Sequence, residues 1–386
     1  MIASRCPAAA LRVAAAMLSV GTLIAVASAS VRAQTAWTVR VGLLLDMDLV
    51  TIGSDGPFEL TDADSGRRET LQGGRVVFRA GPRAIETDAA AYVGPVRLEP
   101  LTGFLQAGGR PYRGLIEIRR TPAGRLTVIN ELDVEEYLYG VVRSEMDPRW
   151  PPEALRAQAI AARSIGAMGS GRFAAEGYDV RSTTDSQVYG GVAAEDPRTT
   201  AAVDATRGLV VLFDGRPAFA AFHADSGGAT ENSEFVWGSV VPHLRGVQDP
   251  FSSDAPNHQW SLRLDLAAIE AALRRAGRPV AGLQRIEVAV TSPSGRAMVL
   301  RLVASGSVVE MRGSEFRAAV GVGTVRSTLF AVRALPGEVT IELDGRGSGH
   351  GVGMSQWGAR GQALAGRSAE DILRYYYTGV TVGPRP

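Results

Sequence analysis

The chain has one cysteine and no lysine. That cysteine, Cys6, sits near the first residue, so the body of the protein can form neither a disulfide nor a thiolate metal centre. With lysine absent, every basic side chain is an arginine, a bias to which we attach no mechanism. Neither sign of charge is in excess. The 41 basic and 40 acidic residues leave a net charge of +1, which excludes a surface built to hold a polyphosphate, and no nucleic-acid partner is expected. The four histidines, His223, His243, His258 and His350, are scattered and lack the paired helical spacing of a zinc hydrolase. No internal repeat or long linker interrupts the chain.

What is present describes a globular protein. Of 386 residues 45% are hydrophobic and 21% charged, enough to bury one large core or two modest ones. The long apolar run at 13–29 follows Arg5 and Arg12 and precedes a small-x-small site at Val31-Arg32-Ala33. Residues 1–33 therefore read as a secretory signal, with Gln34 as the mature start and a secreted, periplasmic or cell-wall location. The alternative is an uncleaved membrane anchor, since the run is only slightly short for a bilayer span.

From 34 to 130 the pattern is short β-type runs broken by Gly, Asp and Pro, at 39–45, 75–79, 115–119 and 126–129. Asp133 followed by Glu136 resembles a capping box opening a short helix. A longer helix is expected from Pro152 to about Gly169, with Pro152 placed where its missing N–H costs nothing. Leu155, Ala159, Ala162 and Ile165 share one face of it, and Arg156 and Arg163 a second. Beyond lie β-type segments at 208–213 and 218–223, a loop over 225–257, a helix at 266–276 and strands at 285–290 and 297–303. The glycine-rich run 345–353, a helical stretch to Leu364 and a last helix capped by Ser368 close the chain. The expected class is α+β: a β-rich amino-terminal region joined to a domain over 131–386 with closely packed parts.

Glu145 stands between two expected helices, flanked by Met146 and Trp150. An acid beside apolar and aromatic groups has its pKa raised by desolvation, as a general acid requires. On spacing alone an exposed loop carboxylate or a helix-capping acid fits better. His350 lies among Gly347, Gly349, Gly351 and Gly353, where a ligand can approach closely or a tight turn can lock the last helices to the core. His223 and Asp225 are candidates for the same cleft. Ser226 lacks the glycine two positions earlier that a nucleophile elbow requires, and a serine turn is the alternative. Tyr375, Tyr376 and Tyr377 offer rings for sugar stacking or for the core.

Several blocks resemble one known family. The stretch Glu136-Tyr137-Leu138-Tyr139-Gly140-Val141-Val142-Arg143-Ser144-Glu145-Met146, continued by Trp150-Pro151-Pro152-Glu153-Ala154-Leu155-Arg156-Ala157-Gln158 and on to Arg163, is similar to the signature of the SpoIID/LytB family. Thr183-Thr184-Asp185-Ser186-Gln187-Val188-Tyr189 comes next, then His223-Ala224-Asp225-Ser226-Gly227-Gly228 with Thr230 to Ser233 and Trp237. Gly349-His350-Gly351-Val352-Gly353-Met354-Ser355-Gln356-Trp357-Gly358-Ala359 completes the set, in the family's order. That family includes lytic transglycosylases involved in sporulation and proteins described as amidase enhancers.

The resemblance implies action on peptidoglycan glycan strands, with Glu145 as the catalytic acid and a cell-wall amidase as a partner under the enhancer alternative. It implies a substrate-binding set of Arg156, Arg163, His223, Asp225, Ser226, His350, Ser355 and Gln356. Asp147 replaces the family's usual proline, either reshaping the loop or adding a second carboxylate. Arg181 and Ser186 stand where sporulation members can carry zinc-binding cysteines, so no metal or other cofactor is expected. One acid suffices for lytic cleavage, because the muramic acid's C6 hydroxyl attacks within the substrate. Most other glycosidases need two carboxylates.

Overall fold

The β-type runs of the first third are strands, and their alternation decides how they pack. In Phe58–Asp62 the side chains of Phe58, Leu60 and Asp62 are buried and those between them less so, the period-two pattern of a sheet with one face inward. A computed structural model describes residues 37–168, 171–183, 186–334 and 339–386. The segment read as an export signal, and Thr184 and Asp185, lie outside the described residues.

One sheet has the strand order Val180–Arg181, Thr38–Met47, Leu126–Asp133, Leu115–Arg120, Val96–Pro100, Phe58–Asp62 and Arg68–Leu71. Its pairings are antiparallel except the first, which is parallel. A second sheet runs Arg110–Tyr112, Leu105–Ala107, Leu49–Ser54, Gly74–Ala80, Ile85–Glu86 and Ala91–Tyr92. Val41, Phe58, Leu98 and Ile118 of the first meet Ile52, Phe78, Ile85 and Leu105 of the second in one core, each at most 1% exposed. Burying each such side chain contributes roughly 1.5–3 kcal/mol.

The helix α1 (Val134–Glu145) grows out of the central strand Leu126–Asp133. Asp133 caps it by accepting from the N–H of Glu135 at 2.9 Å, whereas Glu136, expected to close a capping box, lies 3.9 Å from Arg113 instead. α2 (Pro152–Ala167) comes next with proline at its first turn, and α3 (Pro197–Asp204) starts at an Asp196 cap. α2 is buried around most of its circumference, because its many alanines let α1, α3 and the strand Leu209–Phe213 approach closely.

Arg163 occupies this junction with no exposed surface. Its guanidinium meets Glu135 of α1 at 2.6 and 3.0 Å and donates to the carbonyls of Leu209 at 3.0 Å and Val203 at 3.2 Å. The expectation of a guanidinium offered to a ligand is thus corrected for Arg163: it is an internal tie.

The expected loop 225–257 carries the short helix α4 (Ser233–Trp237). After it comes a module with its own core, including Leu273, Leu300, Phe316 and Leu343. It holds α5 (Leu266–Arg275), α6 (Gly313–Val320) and two three-stranded sheets. One sheet is Leu283–Thr291, Ala297–Ala304 and Ser307–Arg312; the other is Gln259–Asp265, Thr340–Arg346 and Phe330–Ala334. Finally α7 (Gln356–Leu364) and α8 (Ala369–Tyr376) pack on α2, and the strand Thr381–Pro384 pairs with Leu209–Phe213. The architecture is α+β, and among the described residues no helix is long and apolar enough to cross a membrane.

Removing one member of a buried ion pair strands the other. We expect Arg163→Ala to cost about 3–5 kcal/mol in chemical denaturation, through the uncompensated Glu135. A loss below about 1 kcal/mol would show that the pair is not the tie described.

Candidate active site

Glu145 is the last residue of α1, and the turn at its carboxyl side fixes where its side chain goes. Pro148 bars continuation of the helix. Asp147 accepts from the N–H of Arg149 at 2.9 Å and its carbonyl accepts from Trp150 at 3.0 Å, closing a tight turn before Pro151 caps α2. Trp150 then packs edge-on against Trp357 of α7, with ring centres 4.9 Å apart. The loop therefore spans from α1 to α7, and Glu145 points into the space between.

One carboxylate oxygen of Glu145 accepts from the N–H of Val188 and the other from Nε2 of Gln356, each at 3.2 Å. Gln356 is in turn 3.5 Å from the side-chain oxygen of Gln158 on α2. Tyr137, one wall of the same pocket, donates to Gln187 at 3.1 Å. Among the described residues no cation pairs with Glu145. Burial pushes its carboxyl above the usual carboxylate range, against the opposing pull of the two hydrogen bonds. Nε2 of Gln158 and of Gln187 are buried with no partner among the described residues, so the acid is ringed by carboxamides with donors to spare.

The mouth of this pocket is a shallow cleft of about 530 Å³ lined by Arg143, Ser144, Glu145 to Arg149, Asp196 and Arg198. Two further carboxylates border it, but both are committed. Asp147 is held well below the usual range by Arg149, at 2.5 Å, and Asp196 caps α3 by accepting from Arg198 at 2.8 Å. Asp147 thus shapes the loop and turns its charge away from Glu145.

Of the residues singled out from sequence, Gln356 touches Glu145 directly. Arg156, its side chain 41% exposed, pairs with Glu153 one turn before it on α2, and the other oxygen of Glu153 accepts from the first N–H of α8. Ser226 is fully buried, donating to Asp249 at 2.7 Å, and Ser355 is equally buried as the cap of α7. Asp225, 2% exposed, accepts from Gly227 at 2.9 Å and lies 3.2 Å from His258. Burial corrects the substrate-contact expectation for these three: their polar atoms are spent on the turns that hold the glycine-rich segment. Tyr376 and Tyr377 are also core, with hydroxyls on Asp249 and the carbonyl of Ala221, while Tyr375 is more exposed.

The glycine-rich segment lies across 222–231, with bridges between Phe222 and Met354, His223 and Ser355, and Glu231 and Val352. Gly353 needs its glycine: φ is 70°, and an added Cβ would lie 2.1 Å from the carbonyl oxygen of Ala221. This locks His350 beside His223, ring centres 5.4 Å apart. Burial pulls His350 down to about 4 and His223 well below its usual value, so both are neutral near pH 7. His350 Nδ1 accepts from Val352 at 3.0 Å, and the outer face of its ring lies 5.3 Å from Trp237.

Gln158, Gln187 and Arg143 were not singled out from sequence. A usable signal was present in α2, where a glutamine stands among alanines on a face that the helix buries. Among the described residues no cluster of three or more His, Cys, Asp or Glu could hold a metal ion, and Ser186 accepts from the N–H of Arg181 at 3.1 Å.

These features define an α+β protein with a buried acid at a helix junction, paired with no cation among the described residues and held between the α1–α2 loop and α7. A family model described as stage II sporulation protein matches residues 122–213, and one described as a domain of unknown function (DUF8618) matches 243–353. An uncharacterized protein of Brachyspira hyodysenteriae is 32% identical over 296 residues, covering 76% of this chain and 78% of that protein. Stage II sporulation protein D of Bacillus amyloliquefaciens is 32% identical over 269 residues, 66% of this chain and 75% of that protein. The amidase enhancer of Bacillus subtilis is 29% identical over 293 residues, but this chain spans only 40% of it. The chain belongs to the stage II sporulation protein D family, the SpoIID/LytB family.

Because folding raises the Glu145 pKa, its ionised form opposes the fold. That cost is absent below the unfolded value near 4.5 and grows as pH rises from there through the folded value. Glu145→Gln is expected to raise Tm by a few degrees at pH 7 and to leave it unchanged at pH 4. Calorimetry at both pH values checks this, and a pH-independent difference would contradict it.

Proposed function

We propose that this protein is exported by its amino-terminal segment and acts on peptidoglycan as a lytic transglycosylase, with Glu145 as the single general acid and base. One observation carries the reading: a desolvated carboxyl, raised in pKa, held by a backbone N–H and a carboxamide and opening on a cleft whose other carboxylates are committed.

In this mechanism the protonated Glu145 donates to the glycosidic oxygen between N-acetylmuramic acid and N-acetylglucosamine. The resulting carboxylate takes the proton from the C6 hydroxyl of the muramic residue as that oxygen attacks the anomeric carbon. A 1,6-anhydro ring forms, the glycosidic bond breaks, and the enzyme regains its starting protonation state. Val188 and Gln356 stabilise the intervening carboxylate, and the fixed carboxamides position it. Holding the nucleophile within the sugar gives the step its entropic advantage.

The similarity to an amidase enhancer favours a second reading, in which the chain binds the wall and stimulates an N-acetylmuramoyl-L-alanine amidase. Purified protein on isolated sacculi separates the two. The transglycosylase releases anhydro-muropeptides alone, and Glu145→Gln lowers that release by about 10²–10⁴-fold. Equal release by both proteins would remove Glu145 from the mechanism, and release only after an amidase is added would establish the enhancer.

Gln356→Leu deletes a bond that favours the ionised acid. The alkaline limb of the pH–activity profile, where the proton donor is lost, should therefore move to higher pH. A shift to lower pH would contradict the assignment.

A further inference from the structure

A second concave site lies where the 259–346 module meets the glycine-rich segment, and the cleavage mechanism makes no use of it. It is a cavity of about 250 Å³ bordered by Arg296, Arg312 and Arg317 from the module and by Glu231, Glu234 and His350 from the remainder of the chain. Phe235, Val236 and Met298 give it an apolar side.

Its lining carries charge of both signs, but the donors left unpaired are those of an arginine. Glu234 is paired with Arg245 at 2.5 Å, and Glu231 is capped by the hydroxyls of Ser292 and Ser294 and the N–H of Asn232. Among the described residues none of the three arginines forms an ion pair. Arg317 donates to the carbonyls of Val325 at 2.8 Å and Val322 at 3.3 Å. Arg296 is 2% exposed and donates through one nitrogen to the carbonyls of Ser226 at 2.7 Å and Ala229 at 3.2 Å. Its Nε and other Nη are buried and have no partner among the described residues. Burial pulls this guanidinium down to about 10, although the charges of Glu231 and Asp225 work to raise it. A buried cation with unmet donors is costly unless an anion completes it. Gly351 holds Arg296 in place, since a Cβ there would meet the guanidinium carbon at 2.4 Å.

His350 joins this cavity to an exposed aromatic face. Its neutral ring is both a wall of the cavity and the neighbour of Trp237, which is 40% exposed. Arg312 reaches the same place, 3.8 Å from the Cβ position of Gly238 at the end of α4. An apolar ring face beside a small cationic pocket suits a sugar that carries a short acidic substituent.

We propose that this cavity is a carboxylate-binding subsite, in which Arg296 and Arg317 receive the acid group of an N-acetylated amino sugar whose ring lies against Trp237. This rests on the peptidoglycan reading and names the substrate feature which that reading left open. The module supplies the charge, and the lactyl group of muramic acid, freed of stem peptide, supplies the carboxylate. Arg163, first expected among the substrate-binding residues, ties the helices together instead.

Monosaccharides test the proposal without involving cleavage, because they contain no bond for Glu145 to break. N-acetylmuramic acid is expected to bind the full chain at least tenfold more tightly than N-acetylglucosamine, read by tryptophan fluorescence or calorimetry. Arg317→Gln should abolish that preference while leaving N-acetylglucosamine binding unchanged, and Trp237→Ala should weaken both sugars. Arg296→Gln, confirmed folded by circular dichroism, should behave like Arg317→Gln. Equal affinity for the two sugars, a preference that survives in Arg317→Gln, or D-alanyl-D-alanine binding as tightly as the sugar acid would each overturn the proposal. Sedimentation with sacculi distinguishes the two levels: a wild type that binds sacculi but shows no sugar preference loses only the subsite, whereas one that fails to bind sacculi loses the wall reading itself.

Discussion

Everything about the candidate active site depends on where α1 ends, and that is set by Glu135 and Arg163. Glu135 lies in the first turn of α1, and the guanidinium that neutralises it comes from the far half of α2. Both are cut off from solvent, so the pair fits one arrangement of the two helices, and sliding either would leave a bare charge in the core. Glu145, ten residues further along α1, inherits that precision. The sandwich fixes the start of α1 through the strand that feeds it, the ion pair fixes its rotation, and the turn at Asp147 to Trp150 fixes its exit.

The pocket contains two kinds of polar group. Charged and hydroxyl groups with full sets of partners, among them Arg163, Asp225, Ser226 and Ser355, hold the walls. Gln158 and Gln187 beside Glu145 have donors without partners, and Glu145 itself is desolvated and held only by a backbone N–H and a carboxamide, which raises its pKa. The cavity at the module junction shows the same contrast in the opposite sign, with Arg296 under-bonded among well-satisfied neighbours.

Much of this was legible in the sequence. The four β-type runs marked in the first third and helices α1, α2, α5, α7 and α8 follow from alternation, proline placement and caps, and each lies within a few residues of its expected place, while the shorter strands between those runs were not marked. Glu145 was marked by its apolar flanks and by resemblance. What stayed hidden were pairings over long separations: nothing in the spacing of Arg156 and Arg163 says that a glutamate 28 residues before Arg163 will bury it. Residue type misled there, because an arginine on a helix normally signals an outward face. The glycine-rich run was ambiguous for a related reason. Glycines that admit a ligand and glycines that admit another backbone look alike in sequence, and here they admit the backbone at Ala221 and the side chains of His223 and Arg296.

The last strand, Thr381–Pro384, completes the sheet that begins at Leu209–Phe213, and α8 places Tyr376 and Tyr377 in the core shared with α2. Arg385 then covers the ring of Trp37, 4.4 Å from its centre. A chain folding as it is made from its amino end would therefore hold α2 with one flank bare. That flank is covered once α8 and the strand Thr381–Pro384 have been added, and before then it offers apolar surface to chaperones and proteases.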